Sequence, residues 1–109
     1  MTATAFSWDV HLNDGDTVLT LHGDVNSAAA PGFEAAYEQI AGGEGSITID
    51  FSDTEFINST GIALIVSLLA KARAAHRPVT ARGLTDHYRE IFDITRLSDF
   101  LTIENHAQA

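Results

Sequence analysis

The sequence contains no cysteine, so disulfide bonds, thiolate metal sites and cysteine catalysis are all excluded. Its longest apolar run, residues 62–70, is interrupted by Ser67 and is far shorter than the roughly 20 residues that a membrane-spanning helix needs. The first five residues have neither a basic start nor an apolar block, so no secretory signal is visible. From these absences we expect a cytoplasmic protein with no inserted segment.

Positive charge is scarce and unevenly placed. Six Lys and Arg residues stand against fifteen Asp and Glu residues, which gives a formal net charge of -9. The first seventy residues carry ten acidic groups and no Lys or Arg. A polyanion would be repelled by such a surface, so we expect no direct nucleic-acid binding and favour a partner with a basic docking face. Acidity that only maintains solubility is the alternative.

The chain has 109 residues and 45% hydrophobic content, which is enough for one compact domain with a core and too little for two. We therefore expect a single domain over residues 1–109, with its ordered part at about residues 6–104. No internal repeat, linker or low-complexity segment interrupts it.

Hydrophobic periodicity predicts an α/β fold with a mixed central sheet. Alternation and turn residues indicate strands at 7–12, 17–22, 46–51, 79–82 and about 100–103, and helical spacing indicates helices at 28–41, 60–75 and 85–94. Residues 13–16 read Asn-Asp-Gly-Asp, a strong turn signal, so the first two strands form an antiparallel hairpin. The later strands are joined by helices that need an apolar face to cover.

Two adjacent hydroxyls stand where the second helix begins. Residues 56–61 read Phe-Ile-Asn-Ser-Thr-Gly and join an alternating strand to a long apolar helix. Unpaired N–H groups at a helix N-terminus attract negative charge, so a phosphate on Ser59 is tolerated there. No acid, base or metal ligand adjoins this hydroxyl in sequence. We therefore interpret Ser59 as a residue that another protein modifies, with Thr60 as the fallback acceptor and with Asn58 and Gly61 shaping the turn.

The second helix also predicts a docking face. A helical projection places one apolar stripe toward the core, formed by Ile62, Ile65, Val66, Leu69 and Ala72. The opposite side carries small or partly apolar groups, Thr60, Ala63, Leu64, Ser67 and Lys71. Small side chains let a partner approach closely, and Leu64 offers an apolar anchor. The alternative is that an alanine-rich face only supports helix propensity.

Three ordered segments resemble the STAS domain family, and in particular the bacterial anti-sigma factor antagonists. The segments are Gly23-Asp24-Val25-Asn26 with Ala30-Pro31, then Ile49-Asp50-Phe51-Ser52 with Phe56-Ile57-Asn58-Ser59-Thr60-Gly61-Ile62, and finally Gly83-Leu84-Thr85 with Ile91-Phe92-Asp93-Ile94-Thr95-Arg96-Leu97. The chain has asparagine at positions 26 and 58, where the family usually has aspartate, and Arg96 in place of a glycine.

The resemblance implies a STAS fold and a partner-switching cycle. The unphosphorylated antagonist would bind an anti-sigma factor that is also a serine kinase of the GHKL type, and phosphorylation would end the complex. By position the acceptor falls on Ser59, and a serine phosphatase would restore it. Asp24 and Asn26 are expected on the loop beside it, and Ala63, Leu64 and Ser67 continue the docking face. We expect a monomer without cofactor, metal or enzymatic activity.

Other interpretations of the same residues remain or are set aside. Ser59 as a simple N-cap, worth about 1 kcal/mol to the helix, needs no function. A STAS subunit of a membrane lipid transport complex would use the same face permanently, and a partner-switching regulator could serve a non-sigma output. A hydrolase elbow fails because Ile57 replaces the required glycine. Asn58-Ser59-Thr60 matches a glycosylation acceptor, but without a secretory signal it would not meet that machinery. The histidines lie singly, without metal-ligand spacing, at positions 11, 22, 76, 87 and 106.

Overall fold

The computed structural model describes residues 5–13 and 15–104. Five strands and three helices follow one another in the predicted order, with two short 3-10 turns at Ser27–Ala29 and Leu97–Asp99. The strands are β1 (Ser7–Asn13), β2 (Asp16–Val25), β3 (Ile47–Ile57), β4 (Val79–Arg82) and β5 (Thr102–Ile103), and the helices are α1 (Ala30–Ile40), α2 (Ser59–Ala74) and α3 (Asp86–Ile94). The predicted mixed α/β fold is confirmed.

The strands form one sheet in the order β1-β2-β3-β4-β5. Strands β1 and β2 are the antiparallel hairpin, and every other neighbouring pair is parallel. Asp14 of the predicted turn lies outside the described residues, while Gly15 beside it has the positive φ that this turn chemistry favours. No helix among the described residues is long and apolar enough to cross a membrane.

One face of the sheet is buried by the helices and the other is open. Alternate residues of β2 and β3 enter the core, among them Leu19, Leu21, Ile47 and Ile49, which pack with Phe33 and Ile40 of α1, Ile65 and Leu69 of α2 and Phe92 of α3. The half-buried residues between them, such as Thr20, His22, Thr48 and Asp50, lie on the open face. Period-two alternation therefore places one set of side chains against the helices and the other toward solvent.

The strand predicted over residues 46–51 is six residues longer at its C-terminal end than expected. Strand β3 continues to Ile57 because its second half pairs with the end of β2, where Asp24 lies opposite Phe56 and Val25 opposite Ile57. Register shifts between Thr20 and His22 and between Gly23 and Asp24 break the alternation. The broken alternation hides the extension in the sequence, and it delivers Ile57 directly to the start of α2.

A buried arginine, Arg77, connects the C-terminus of α1 with the segments beside it. Arg77, which is 5% exposed, donates from Nη1 to the Ile40 carbonyl at 2.6 Å, from Nε to the Gly45 carbonyl at 2.9 Å and from Nη2 to Thr17 Oγ1 at 2.9 Å. The guanidinium thereby satisfies a carbonyl at the C-terminus of α1 and ties that helix to the start of β2.

His22 links three strands on the open face. Its Nδ1 lies 2.5 Å from Asp53 Oδ2 of β3, and its Nε2 lies 2.7 Å from Asp9 Oδ2 of β1. The pKa of His22 is raised above 6.5, mainly by the hydrogen bond to Asp53 and to a smaller extent by the one to Asp9. The negative charges of both carboxylates act in the same direction. When the ring is protonated, it donates to both carboxylates and ties the edge strand β1 to its neighbours.

We predict that this link makes stability depend on pH. The folded pKa of His22 is higher than the unfolded one, so the contribution is complete below about pH 6.5 and is lost as the pH rises through the raised folded value. In urea unfolding at about pH 6 and about pH 9, His22→Gln should be the less stable protein at the lower pH and should approach the unsubstituted protein at the higher pH. An equal difference between the two proteins at both pH values would contradict the assignment.

Candidate functional site

Helix α2 begins with an asparagine cap. The Asn58 side chain accepts a hydrogen bond from Gly61 N–H at 2.8 Å, and its carbonyl accepts one from Ile62 N–H at 2.9 Å. Ser59 is therefore the first helical residue. The interpretation of Ser59 as the N-cap is wrong, because the amide oxygen one residue earlier already fills that role.

The two hydroxyls at this helix start are solvent-exposed. Among the described residues, neither the Ser59 nor the Thr60 side chain takes part in a hydrogen bond, and no partner accepts from their backbone N–H groups. These N–H groups and the aligned dipoles of α2 favour negative charge beside them. The arrangement can accept a phosphate, and it offers no described base to activate a nucleophile.

Gly61 sits where no side chain fits. A Cβ atom at this position would lie 2.1 Å from the carbonyl oxygen of Val25, the last residue of β2. The same carbonyl accepts a hydrogen bond from Asn58 N–H at 3.2 Å. The first turn of α2 thus rests directly on the end of β2, and this contact fixes the position of the helix start.

A second contact positions the strand that leads into the site. Ile57 N–H donates to the Tyr88 hydroxyl of α3 at 2.9 Å. Strand β4 pairs only with residues 47–50 of β3, so it does not reach this amide. Tyr88 therefore satisfies a polar group that the sheet leaves unpaired. Its apolar spacing with Ile91 and Phe92 was visible in the sequence, whereas nothing local indicated the hydroxyl's partner.

The structure brings Asp24 and Asn26 to this end of the sheet, with one correction. Asp24 lies within β2, opposite Phe56, and not on the predicted loop. The loop position is Asn26, whose Oδ1 accepts from Ala28 N–H at 3.0 Å and caps the 3-10 turn. This turn supplies part of the segment predicted as helix 28–41, so α1 begins only at Ala30, and Ala29 before it makes no side-chain cap.

The exposed side of α2 differs from the predicted docking face in two side chains. Ala63 and Ser67 are exposed as predicted, but Leu64 is half-buried and packs against the core. Val66, assigned to the core, is 45% exposed, and Leu68 is buried in its place. The helix is rotated from the predicted orientation because Leu68 faces α1, where it joins Phe33 and Tyr37 beside a small groove.

An uncharged strip results along the outer side of α2. Residues 59–70 contain no Asp, Glu, Lys or Arg, and those exposed to solvent are Ser59, Thr60, Ala63, Val66, Ser67 and Ala70. We call these six residues the α2 strip. Solvated helices usually carry charges on this side, so the α2 strip has the composition of a contact surface.

Phe56 is a further exposed apolar side chain near the start of α2, and it is not among the residues that the sequence predicted for partner binding. It is 53% exposed and stands two residues before the cap. Large exposed aromatic groups are common anchors in protein interfaces. Phe56 lies in β3 opposite Asp24 of β2, at the end of the sheet where α2 begins.

Electrostatics around β3 do not favour a metal. Among the described residues, no three His, Asp, Glu or Cys side chains are grouped so as to hold a metal ion. Asp50 is engaged by the Ser52 N–H at 2.9 Å and by Arg82 Nη2 at 2.9 Å. Partial burial opposes ionisation, but the bonds from Ser52 and Arg82 prevail and hold the pKa of Asp50 below 3.8. This carboxylate therefore links β3 to β4 through Arg82.

Comparison with known proteins yields consistent matches over almost the whole chain. A family model described as "Mlab, STAS domain" matches residues 8–103. The anti-sigma-B factor antagonist of Listeria monocytogenes is 30% identical over 101 residues, which cover 91% of this chain and 89% of that protein. These matches agree with the predicted resemblance.

Solved structures share the fold. An anti-sigma factor antagonist from Mycobacterium paratuberculosis superposes with a TM-score of 0.74 at 23% identity, covering 94% of this chain and 88% of that one. The Bacillus cell fate determinant SpoIIAA in its phosphorylated form superposes with a TM-score of 0.68 at 17% identity, covering 94% and 93%.

The contact between α2 and β2 generates a stability prediction. Gly61→Ala should lower the free energy of unfolding by at least about 2 kcal/mol, although the same change in an unobstructed helix would gain about 1 kcal/mol. Gly42→Ala is the matched control, because its Cβ would meet no atom within 4 Å. Chemical unfolding measures both, and a Gly61→Ala protein as stable as the control would show that the close approach is absent in solution.

Proposed function

The chain belongs to the STAS domain family, and from that membership we propose that it acts as an anti-sigma factor antagonist in a partner-switching pathway. Its listeria relative carries that name, and the match covers about nine-tenths of both chains. The partner class that follows is an anti-sigma factor. We further propose that this anti-sigma factor is a serine kinase of the GHKL type and that a serine phosphatase reverses its action.

One observation carries the proposal for the switch. Ser59 is exposed, its hydroxyl is not engaged by any described residue, and Asn58 has taken over the capping that would otherwise explain it. A structural serine at a helix start normally caps. Here the hydroxyl is left for another protein to use.

The electrostatics of the site explain how a phosphate would switch binding without unfolding the domain. A phosphoserine adds about -1.5 to -2 charge and three acceptor oxygens. The open N–H groups of α2 favour that charge, so the fold tolerates it. The same charge would sit at one end of the uncharged α2 strip, where a partner's apolar or acidic surface could no longer be desolvated.

The asparagine at position 58 fits this scheme. It caps α2 through Oδ1 and brings no charge, so the first turn carries no carboxylate. A phosphate on the next residue therefore meets a dipolar cap rather than a like charge. SpoIIAA, which shares the fold, has been solved in a phosphorylated form.

Binding of an anti-sigma factor to a set of single variants tests the proposal. Ser59→Ala should bind, and Ser59→Asp should bind at least about tenfold more weakly, a loss of about 1.4 kcal/mol. Thr102→Asp, an exposed position on the far edge of the sheet, adds the same charge as a control and should bind like the unsubstituted protein. Isothermal titration calorimetry against the purified anti-sigma factor gives the affinities.

Phosphorylation by the partner provides the second half of this test. Ser59→Ala should abolish phosphate incorporation, whereas Thr60→Ala should leave it intact. The reverse pattern would move the acceptor to Thr60. Equal affinities of Ser59→Ala and Ser59→Asp would count against the switch and would favour a constitutive STAS subunit, such as one in a membrane lipid transport complex.

A further inference from the structure

An apolar groove lies beside the α2 strip. It has a volume of about 300 Å³ and is lined by Val66, Ala70 and Arg73 of α2 and by Thr95, Leu97 and Phe100 from the segment after α3. Val66 is 45% exposed and Phe100 54% exposed. Apolar side chains that line a concave site indicate a binding site more often than isolated exposed apolar side chains do.

The groove is continuous with the proposed docking surface. Val66 and Ala70 belong both to the α2 strip and to the wall of the groove. A partner that covers Ser59 and Ala63 can therefore extend into the groove without crossing a charged side chain. Nothing comparable joins the α2 strip to Leu12, which is 81% exposed but lies on the edge strand β1.

Charge at the rim indicates what the partner presents. Arg73 lies over the Phe100 ring at 5.5 Å from its centroid. Three of the other arginines pair with carboxylates, Arg82 with Asp50, Arg89 with Asp86 and Arg96 with Asp99. Arg73 has no such partner among the described residues, although the chain holds fifteen acidic groups against six basic ones. An aromatic-stacked guanidinium at a rim suits an incoming carboxylate.

We propose that this groove is a second docking point for the anti-sigma factor, which fills it with an apolar side chain and pairs a neighbouring Asp or Glu with Arg73. The inference rests on the proposed function, since it concerns the same partner and the same helix. It adds a requirement on that partner, whose surface must be acidic at the C-terminal end of α2. Net charge alone suggests the opposite, a basic docking face.

Arg73 has a structural use that the test must separate from binding. It lies in the last turn of α2, where a cation offsets the helix dipole, and its stack on Phe100 helps to hold the C-terminal segment. Each variant therefore needs a melting temperature beside its affinity. An effect on binding that exceeds any change in folding belongs to the interface.

The experiment uses the full chain carrying Ser59→Ala, so that no variant can be phosphorylated, and the purified anti-sigma factor as the probe. Arg73→Glu and Phe100→Ala should each weaken binding about tenfold, and Arg73→Gln should reduce the dependence of affinity on salt. Leu12→Ala is the control for loss of an exposed apolar group and should bind within about twofold of its parent. Calorimetry at two salt concentrations measures these changes.

A second readout reports proximity to the partner and does not depend on a loss of affinity. The chain has no cysteine, so Ala70→Cys and Leu12→Cys each provide one site for a photo-crosslinker. Only the label at position 70 should crosslink to the anti-sigma factor. If the groove variants bind within about twofold of the parent and position 70 gives no crosslink, the groove is not a docking point. The proposed function would survive that result as long as Ser59→Asp still binds more weakly than Ser59→Ala. Failure of Ser59→Ala itself to bind would overturn the proposed function and this inference with it.

Discussion

The close contact between the end of β2 and the first turn of α2 determines the geometry of the site. The Val25 carbonyl accepts the Asn58 N–H at 3.2 Å and leaves no room for a Cβ at position 61. Because a glycine at that position lets the helix rest on the strand, Asn58 can cap and Ser59 becomes the first outward-facing residue. Tyr88 steadies the same junction from α3 through its bond to Ile57 N–H. The start of α2 is thus positioned by contacts that do not involve the Ser59 hydroxyl, and a phosphate on that oxygen would leave them intact.

The charge distribution along α2 is what would let the proposed phosphorylation control this surface. The outer side of α2 is uncharged from position 59 to position 70, and the cations Lys71 and Arg73 follow only in its last turns. A partner bound along this helix excludes water from a neutral strip, where a phosphate would be costly to bury. The same phosphate is favoured by the helix N-terminus when the partner is absent. In the proposed switch, binding and modification are therefore mutually exclusive, and the domain stays folded in both states.

Much of the fold could be predicted because its signals are local. Alternation, the turn at residues 13–16 and the helical stripes gave the element order. The three ordered segments also identified the STAS family, which the family model confirms. Features that depend on distant residues were missed. His22 meets Asp9 and Asp53 across three strands, β3 extends through an irregular register, and the rotation that exposes Val66 and buries Leu68 follows from packing against α1. A continuous apolar run in the sequence does not indicate which of its side chains face the core.

The central claim is that Ser59 is a reversible phosphate acceptor. The most direct measurement is intact-mass and peptide mass spectrometry of the protein purified from its own cells in two growth states. The account predicts one phosphate on Ser59 whose occupancy differs between the states. A Ser59 that stays unmodified in both states, while the protein remains bound to a constant set of partners, would contradict it and would identify a constitutive scaffold.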